Sequence, residues 1–204
     1  GALSWIGKEV DSSDIIHEIL QDLIYYQKSG GGITLSGGEP LQQKDFALDI
    51  LQKCREHRIH TAVETNLLTD VNTLEAFLPW VDLWMCDFKM ADDTLHRKWT
   101  GHSNVPIIKN LEFLAKQAVP LTIRTPVIPN VNDSEEAIES ICRFIRQLPN
   151  QPAYELLGFH SLGFVKFENL GMKNPLSNSA FLKKGQLQKL KEILIRYNLN
   201  NNKK

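Results

Sequence analysis

Apolar positions along the chain switch repeatedly between helical and strand spacing. Ile15, Ile16, Ile19, Leu20, Leu23 and Ile24 fall three and four apart, which is the spacing of one helix face, and predict a helix over 12–28. Asp11, Ser12 and Ser13 offer capping oxygens before it, and Gly30 to Gly32 stop it. A short β-type run, Ile33 to Leu35, follows. The pattern then predicts a helix over 44–57, a strand over 60–64, a helix over 71–80 and a strand over 81–88. Helices over 92–99 and 105–117 come next, then a strand over 121–125. A helix over 133–148, capped by Asp133 or Ser134, leads to a strand over 153–159. After an irregular stretch from about 160 to 182, a helix over 184–197 closes the pattern.

Alternation of strand and helix implies an α/β fold with a parallel sheet and right-handed crossovers, either open or closing into a barrel. The strands read mostly as continuous apolar runs, which predicts helices on both faces. No short internal repeat and no linker divides the chain, so residues 1–197 are expected to form one domain. The polar end, 198–204, reads as a frayed, disordered tail.

Composition narrows the function. The 204 residues carry a net charge of −1, which argues against a broad nucleic-acid-binding face. No apolar run approaches the length of a membrane span, and no leader sequence is visible. Cys54, Cys86 and Cys142 are the only cysteines. Their wide spacing predicts reduced, buried thiols in a cytoplasmic protein, with no iron–sulfur or zinc ligand set in this chain. The opening "GALSWIGKEV" lacks a methionine and reads as the cut end of a longer protein.

The run "SGGGITLSGGEPL" holds five of the 12 glycines. Glycine permits positive φ and close approach of the backbone. The run therefore fits either a turn–strand–turn or a backbone that closely approaches a ligand, with Glu39 aimed at a cation. Polar residues also end the other strands. Glu64, Thr65 and Asn66 end the second, Asp87 and Lys89 the third, Arg124 lies in the fourth, and His160 follows the fifth. Each has a plain alternative. Glu39 also suits the cap of a following helix, Asp87 and Lys89 a solvated ion pair, and His160 a structural role. Arg124 is harder to explain away, because a guanidinium within an apolar strand needs an acid or an anionic ligand. Together these groups collect at the C-terminal edge of the sheet, where parallel α/β folds place their sites. Acids, bases and a glycine-lined approach suit a zwitterionic ligand, its ammonium against Glu39 and its carboxylate against Lys89 or Arg124. No Walker loop and no nucleophile–base pair stands out.

The segments "GGGITLSGGEPLQQ", "HTAVETN", "WMCDFKMADDTLHRKWTG", "LTIRTPVIPNVND" and "ELLGFHSLG" together resemble the glycyl-radical-enzyme activating enzymes of the radical S-adenosylmethionine superfamily. Pyruvate formate-lyase activating enzyme is the familiar member. The S-G-G-E-P segment is shared across the superfamily; the stretch running from Asp87 through His96 to Gly101, and the Arg124-to-Asp133 stretch, are more specific to the activases. The resemblance implies a partial (β/α)6 TIM-like barrel whose first strand is missing from this chain. It implies that Gly37, Gly38 and Glu39 bind the methionine amino group. Asp87, Phe88 and Lys89 would line the cofactor, with Lys89 near its carboxylate. Arg124 would also meet that carboxylate, and His160 would lie near the ribose. Glu64, Thr65, the Met85 carbonyl and Asp87 would form a monovalent-cation site. Glu64 stands where the family often has Asp, and "TNLL" where T-N-G or T-S-G is usual.

The resemblance further implies a [4Fe–4S] cluster held by a C-x-x-x-C-x-x-C loop, which this chain lacks. That loop, and ferredoxin-type clusters on an insert after it, would lie upstream of Gly1. In the implied reaction the reduced cluster cleaves S-adenosylmethionine to a 5′-deoxyadenosyl radical, which takes a hydrogen atom from a glycine of a glycyl radical enzyme. The expected partners are that enzyme and a reductant such as flavodoxin or ferredoxin, with no nucleic acid and no membrane. This chain alone would be inactive. The alternatives are a radical S-adenosylmethionine enzyme acting on a small molecule, a cluster-free barrel that only binds, and an unrelated barrel enzyme.

Overall fold

The computed structural model describes residues 7–117, 119–161, 163–177 and 181–199. Five strands form one sheet: β1 (Gly32–Leu35), β2 (His60–Thr65), β3 (Leu83–Asp87), β4 (Leu121–Val127) and β5 (Ala153–Gly158). They pair in sequence order and all run parallel. The helices are α1 (Ser12–Gln21), α2 (Leu23–Ser29), α3 (Lys44–Glu56), α4 (Val71–Phe77), α5 (Asp93–Thr100), α6 (Val105–Lys116), α7 (Glu135–Gln147), α8 (Phe164–Asn169) and α9 (Gln186–Arg196). No helix among the described residues is long and apolar enough to cross a membrane.

Local chemistry sets the boundaries. Asp70 caps α4 by accepting from the Thr73 N–H, Asp92 caps α5 through Leu95, and Ser134, not Asp133, caps α7 through Ala137. Gly30 and Gly101 end α2 and α5 with left-handed φ of 67° and 80°, a conformation glycine adopts at no steric cost. The helix predicted over 12–28 is two helices. The Asp22 N–H bonds the Ile19 carbonyl three residues back (3.2 Å), and this tightened turn redirects the chain. The stretch predicted as irregular contains the short helix α8.

Helices cover one face of the sheet. Val63, Trp84, Cys86, Ile123 and Leu156 from the strands pack with Leu51 of α3, Phe77 of α4, Leu111 of α6, Ile141 of α7 and Ile193 of α9. Burying a leucine or isoleucine side chain stabilises by about 1.5–3 kcal/mol. The opposite face is different. Along β4 the residues alternate buried and half-buried from Leu121 to Val127, and β3 alternates in the same way. The expectation of helices on both faces is therefore corrected: the second face is half-buried and carries Glu64, Asp87, Thr122 and Arg124 between apolar positions such as Leu83, Met85 and Pro126.

Two boundaries bear on the earlier expectations. Leu199 is buried, and its N–H bonds the Leu194 carbonyl at 2.8 Å. The fold thus extends past the expected start of the tail at 198, and residues 200–204 lie outside the described residues. At β1, a Cβ on Gly32 would stand 1.8 Å from the His60 carbonyl oxygen. Close pairing of β1 with β2 thus requires glycine there.

Candidate functional site

At the C-terminal edge of the sheet the loop after β1 and the ends of β2 and β3 enclose a cleft of about 260 Å³. Ser36, Gly37, Gly38, Glu39, Glu64, Thr65, Asn66, Asp87 and Lys89 line it. Gly37 takes φ 111°, and an added Cβ at Gly37 or Gly38 would meet nothing within 4 Å. The glycine loop is accordingly a bare backbone surface, its Gly37 carbonyl accepting from the Lys166 ammonium at 3.2 Å.

Glu39 does both things its position suggested. One carboxylate oxygen accepts from the Leu41 N–H (3.2 Å), capping the 3-10 turn Pro40–Gln43. The same oxygen accepts from the Thr65 hydroxyl (2.7 Å), and the other from the Asn66 N–H (2.8 Å). Three donors from two loops fix the carboxylate. An ionised carboxylate has about four acceptor positions, so one remains for an ammonium.

Arg124 reaches across the half-buried face. Its Nη1 donates to Glu64 at 3.0 Å, and the opposite Glu64 oxygen accepts from the Ser36 hydroxyl at 3.1 Å. Arg124 Nε stands 3.7 Å from a Glu155 oxygen. That is too long for a hydrogen bond, and buried Nε has no hydrogen-bond partner among the described residues. A buried guanidinium nitrogen without a partner costs free energy unless something accepts from it, so the arginine retains capacity for an anion. Lys89 and Asp87 pair at 2.7 Å, each side chain about a quarter exposed. The solvated-pair reading and the ligand-binding reading both describe this geometry.

The other expected residues are placed differently. Phe88 is fully buried, its ring 5.0 Å from that of Phe144 on the helix side. It faces away from the cleft because it alternates with Asp87 and Lys89, and its side chain anchors the strand end. His160 is exposed past β5 and is not among the cleft residues. Of the expected cation set, Glu64, Thr65 and Asp87 line the cleft, each already paired within the protein. Glu64 and Thr65 are consecutive on β2 and point to opposite faces; Glu64 is given to Arg124 and Thr65 to Glu39. Among the described residues no group of three or more His, Cys, Asp or Glu could hold a metal ion.

Ser36 and Asn132 were absent from the residues singled out in the sequence, while Asn66 was named at the end of β2 without a role. Ser36 and Asn66 flank predicted residues, and Asn132 lies within "LTIRTPVIPNVND", so that segment carried a signal. The specific stretch after β3 proves to be a self-bonded loop. His96 Nδ1 donates to the His102 carbonyl (2.7 Å), and Asn104 Nδ2 donates to the Met90 and Ala91 carbonyls (3.0 and 2.9 Å). Asp93 accepts from the Ser103 hydroxyl, Arg97 and the Asn104 N–H. The Ser103 hydrogen bond, then that from Arg97, holds its carboxyl down at about 2.

The donor set fits one implied cofactor and not the other. A free acceptor at Glu39, bare glycine backbone, and cations at Lys89 and Arg124 suit the amino-acid end of S-adenosylmethionine. An iron–sulfur cluster finds no ligands here. Cys54, Cys86 and Cys142 are free, fully buried and carried on α3, β3 and α7. Burial pushes the Cys54 thiol up to about 11 and Cys142 to about 12, and raises Cys86 well above its ordinary value. A thiolate is the ligand form, so these are structural thiols.

The Radical SAM superfamily pattern matches residues 6–144. The chain is 40% identical over 172 residues to the isethionate sulfite-lyase activating enzyme of Desulfovibrio desulfuricans, covering 83% of this chain and 55% of that protein. It is 34% identical over 188 residues to the pyruvate formate-lyase-activating enzyme of Clostridium pasteurianum, covering 92% and 79%. The crystal structure of a domain of pyruvate-formate lyase-activating enzyme from Bacteroides vulgatus superposes with a TM-score of 0.69 at 31% identity, covering 83% of this chain and 96% of that one. The chain spans about half the length (55% to 57%) of the isethionate sulfite-lyase activating enzymes that it matches.

Proposed function

The chain belongs to the radical S-adenosylmethionine superfamily and, within it, to the glycyl-radical-enzyme activating enzymes, and from that membership we propose that the whole protein installs a radical on a glycine of a partner enzyme. The cofactors supply the chemistry: reductive cleavage of S-adenosylmethionine to a 5′-deoxyadenosyl radical, which takes the glycine hydrogen. This chain supplies the binding surface. Glu39 accepts from the substrate ammonium, with the Gly37 and Gly38 backbone alongside. Lys89 and Arg124 hold the carboxylate, and Asp87 and Glu64 hold those two cations in place. The polar, half-buried face of the open sheet receives the rest of the cofactor and the partner's glycine segment.

What supports this reading is that Glu39, fixed by three donors in the cleft, and Arg124, in mid-β4 with a buried Nε that has no hydrogen-bond partner among the described residues, are joined through Glu64, which lines the cleft and accepts from Arg124. The cluster ligands, and any ferredoxin-type clusters, are proposed to lie outside these 204 residues, since the three cysteines here are buried thiols. A small electron carrier such as flavodoxin or ferredoxin would deliver the electron. The relatives serve different enzymes by name, including an isethionate sulfite-lyase and a choline trimethylamine-lyase, so the partner is proposed here as a class. The test is anaerobic incubation of the full-length, cluster-loaded protein with S-adenosylmethionine, a reductant and a candidate partner. A glycyl-radical resonance on the partner, with 5′-deoxyadenosine formed alongside, is expected. Cofactor cleavage without any protein-borne radical would point to a small-molecule substrate instead.

A further inference from the structure

The ladder between β3 and β4 does not stop where the strands stop. Its last backbone bond runs from the Phe88 N–H to the Arg124 carbonyl (2.9 Å). Side chains then continue it. The Thr125 hydroxyl donates to the Phe88 carbonyl at 2.6 Å, and Asn132 Nδ2 donates to the Lys89 carbonyl at 2.9 Å. Asn132 is 2% exposed. Its second amide hydrogen goes to the Pro126 carbonyl (3.0 Å), and its side-chain oxygen accepts from the Ile128 N–H (2.7 Å). Its own N–H returns to the Ile128 carbonyl at 3.2 Å.

One side chain thus closes the turn after β4 and grips the segment after β3. The requirement for asparagine is strict in chemical terms. Aspartate would set an oxygen against two carbonyls. Alanine or leucine would strand two buried acceptors and a donor, each costly to leave unmade. Glutamine carries the same amide one methylene too far from the backbone.

What this clamp holds is the cationic part of the site. Asp87 pairs in register with Arg124, and Lys89 follows two residues later on the same face as Asp87, bonded to it. We propose that Asn132 is a positioning residue: by fixing the Lys89 backbone to the turn that follows Arg124, it sets Lys89 and Arg124 as a pair for a single carboxylate. This rests on the functional reading above, and it assigns a role to a residue that touches neither cation's side chain. The sheet alone would let the Lys89 segment fray, because β3 ends at Asp87.

The test uses two ligands differing in the group concerned. S-adenosylmethionine carries the α-carboxylate; decarboxylated S-adenosylmethionine keeps the adenosine, the sulfonium and the ammonium and lacks only the carboxylate. Their Kd values are measured by titration calorimetry on the full-length protein, on Asn132→Ala and on Asn104→Ala. Asn104→Ala removes a comparably buried amide that grips Met90 and Ala91, and serves as the control for a merely structural loss. The expected result is a loss of about tenfold or more for S-adenosylmethionine in Asn132→Ala, the equivalent of losing one buried hydrogen bond. Binding of decarboxylated S-adenosylmethionine in the same variant should change by less than about twofold, and Asn104→Ala should not discriminate between the ligands. Equal weakening of both ligands by Asn132→Ala, or no weakening, overturns the proposal. If Asn132→Ala fails to fold, Thr125→Val cuts the preceding rung and should show the same ligand-selective loss in smaller measure; its absence overturns the proposal equally. Should the unaltered protein not prefer the carboxylate-bearing ligand, the functional reading fails instead. The clamp is then judged by hydrogen exchange at the Phe88 amide, which should speed in Asn132→Ala; unchanged exchange would overturn the clamp as well.

Discussion

Along β4, Leu121, Ile123 and Val127 join the core under the helices, while Thr122, Arg124 and Pro126 remain half-buried on the other face. Adjacent residues of one strand therefore live in different solvents. On the covered face, Trp84, Ile123 and Val63 are wholly buried, and their neighbours are apolar. On the open face, Glu64, Asp87, Lys89 and Arg124 form ion pairs at 2.7 and 3.0 Å with side chains a fifth to a third exposed. The first face stabilises the sheet. The second is held in shape by the first and needs little stability of its own. Pairs with this exposure contribute at most about 1 kcal/mol each, so their worth lies in what they hold ready.

Substitutions should respect that division, and the sharpest break is on the covered face. Trp84→Ala removes the largest fully buried side chain and is expected to cost about 3–5 kcal/mol, read from the urea midpoint at unchanged slope. A loss below about 1 kcal/mol would mean that the covered face is not the core. On the open face the effect moves from stability to binding. Arg124→Met should keep the unfolding midpoint within about 1 kcal/mol yet weaken S-adenosylmethionine at least about tenfold by calorimetry, equivalent to about 1.4 kcal/mol. Equal damage to folding and binding would dissolve the distinction between the faces.

The smallest effect concerns the loop after β3. The Asp93 carboxyl is lowered to about 2 by Ser103 and Arg97, against an ordinary value of about 3.9. A lowered carboxyl stabilises the fold fully above its unfolded value. That contribution fades as pH drops from about 4 towards 2. Asp93→Asn should therefore lower stability by a constant amount above about pH 5 and flatten the acid limb in this window, so that the two curves converge towards about pH 2; curves that diverge on acidification would reverse the assignment.

How far this was legible from residues alone varies by position. The strands and most helices followed from spacing, and Glu39, Glu64, Asp87, Lys89 and Arg124 followed from polar residues interrupting apolar runs at strand ends. The alternation Leu-Thr-Ile-Arg-Thr-Pro-Val of β4 is visible too, although the expectation had been of strands covered on both sides. Phe88 was misplaced because membership in a motif does not say which way a side chain points; the pleat does. Asn132 and Asn104 were not singled out. Their partners are backbone carbonyls 43 and 13–14 residues away, and carbonyls leave no mark in a sequence.

Periodicity, glycine placement and the sequence motifs thus settled the class of fold and the family, and named the polar residues that line the cleft at the sheet's C-terminal edge. These are local properties, written within a few residues of where they act. The faces of the sheet, the double duty of Glu39, the pairing of Glu64 with Arg124, and the side-chain ladder beyond β3 came from folding. Each depends on groups far apart in the chain, whose meeting is enforced by burial of the helix-covered face and by the need of every buried donor and acceptor for a partner.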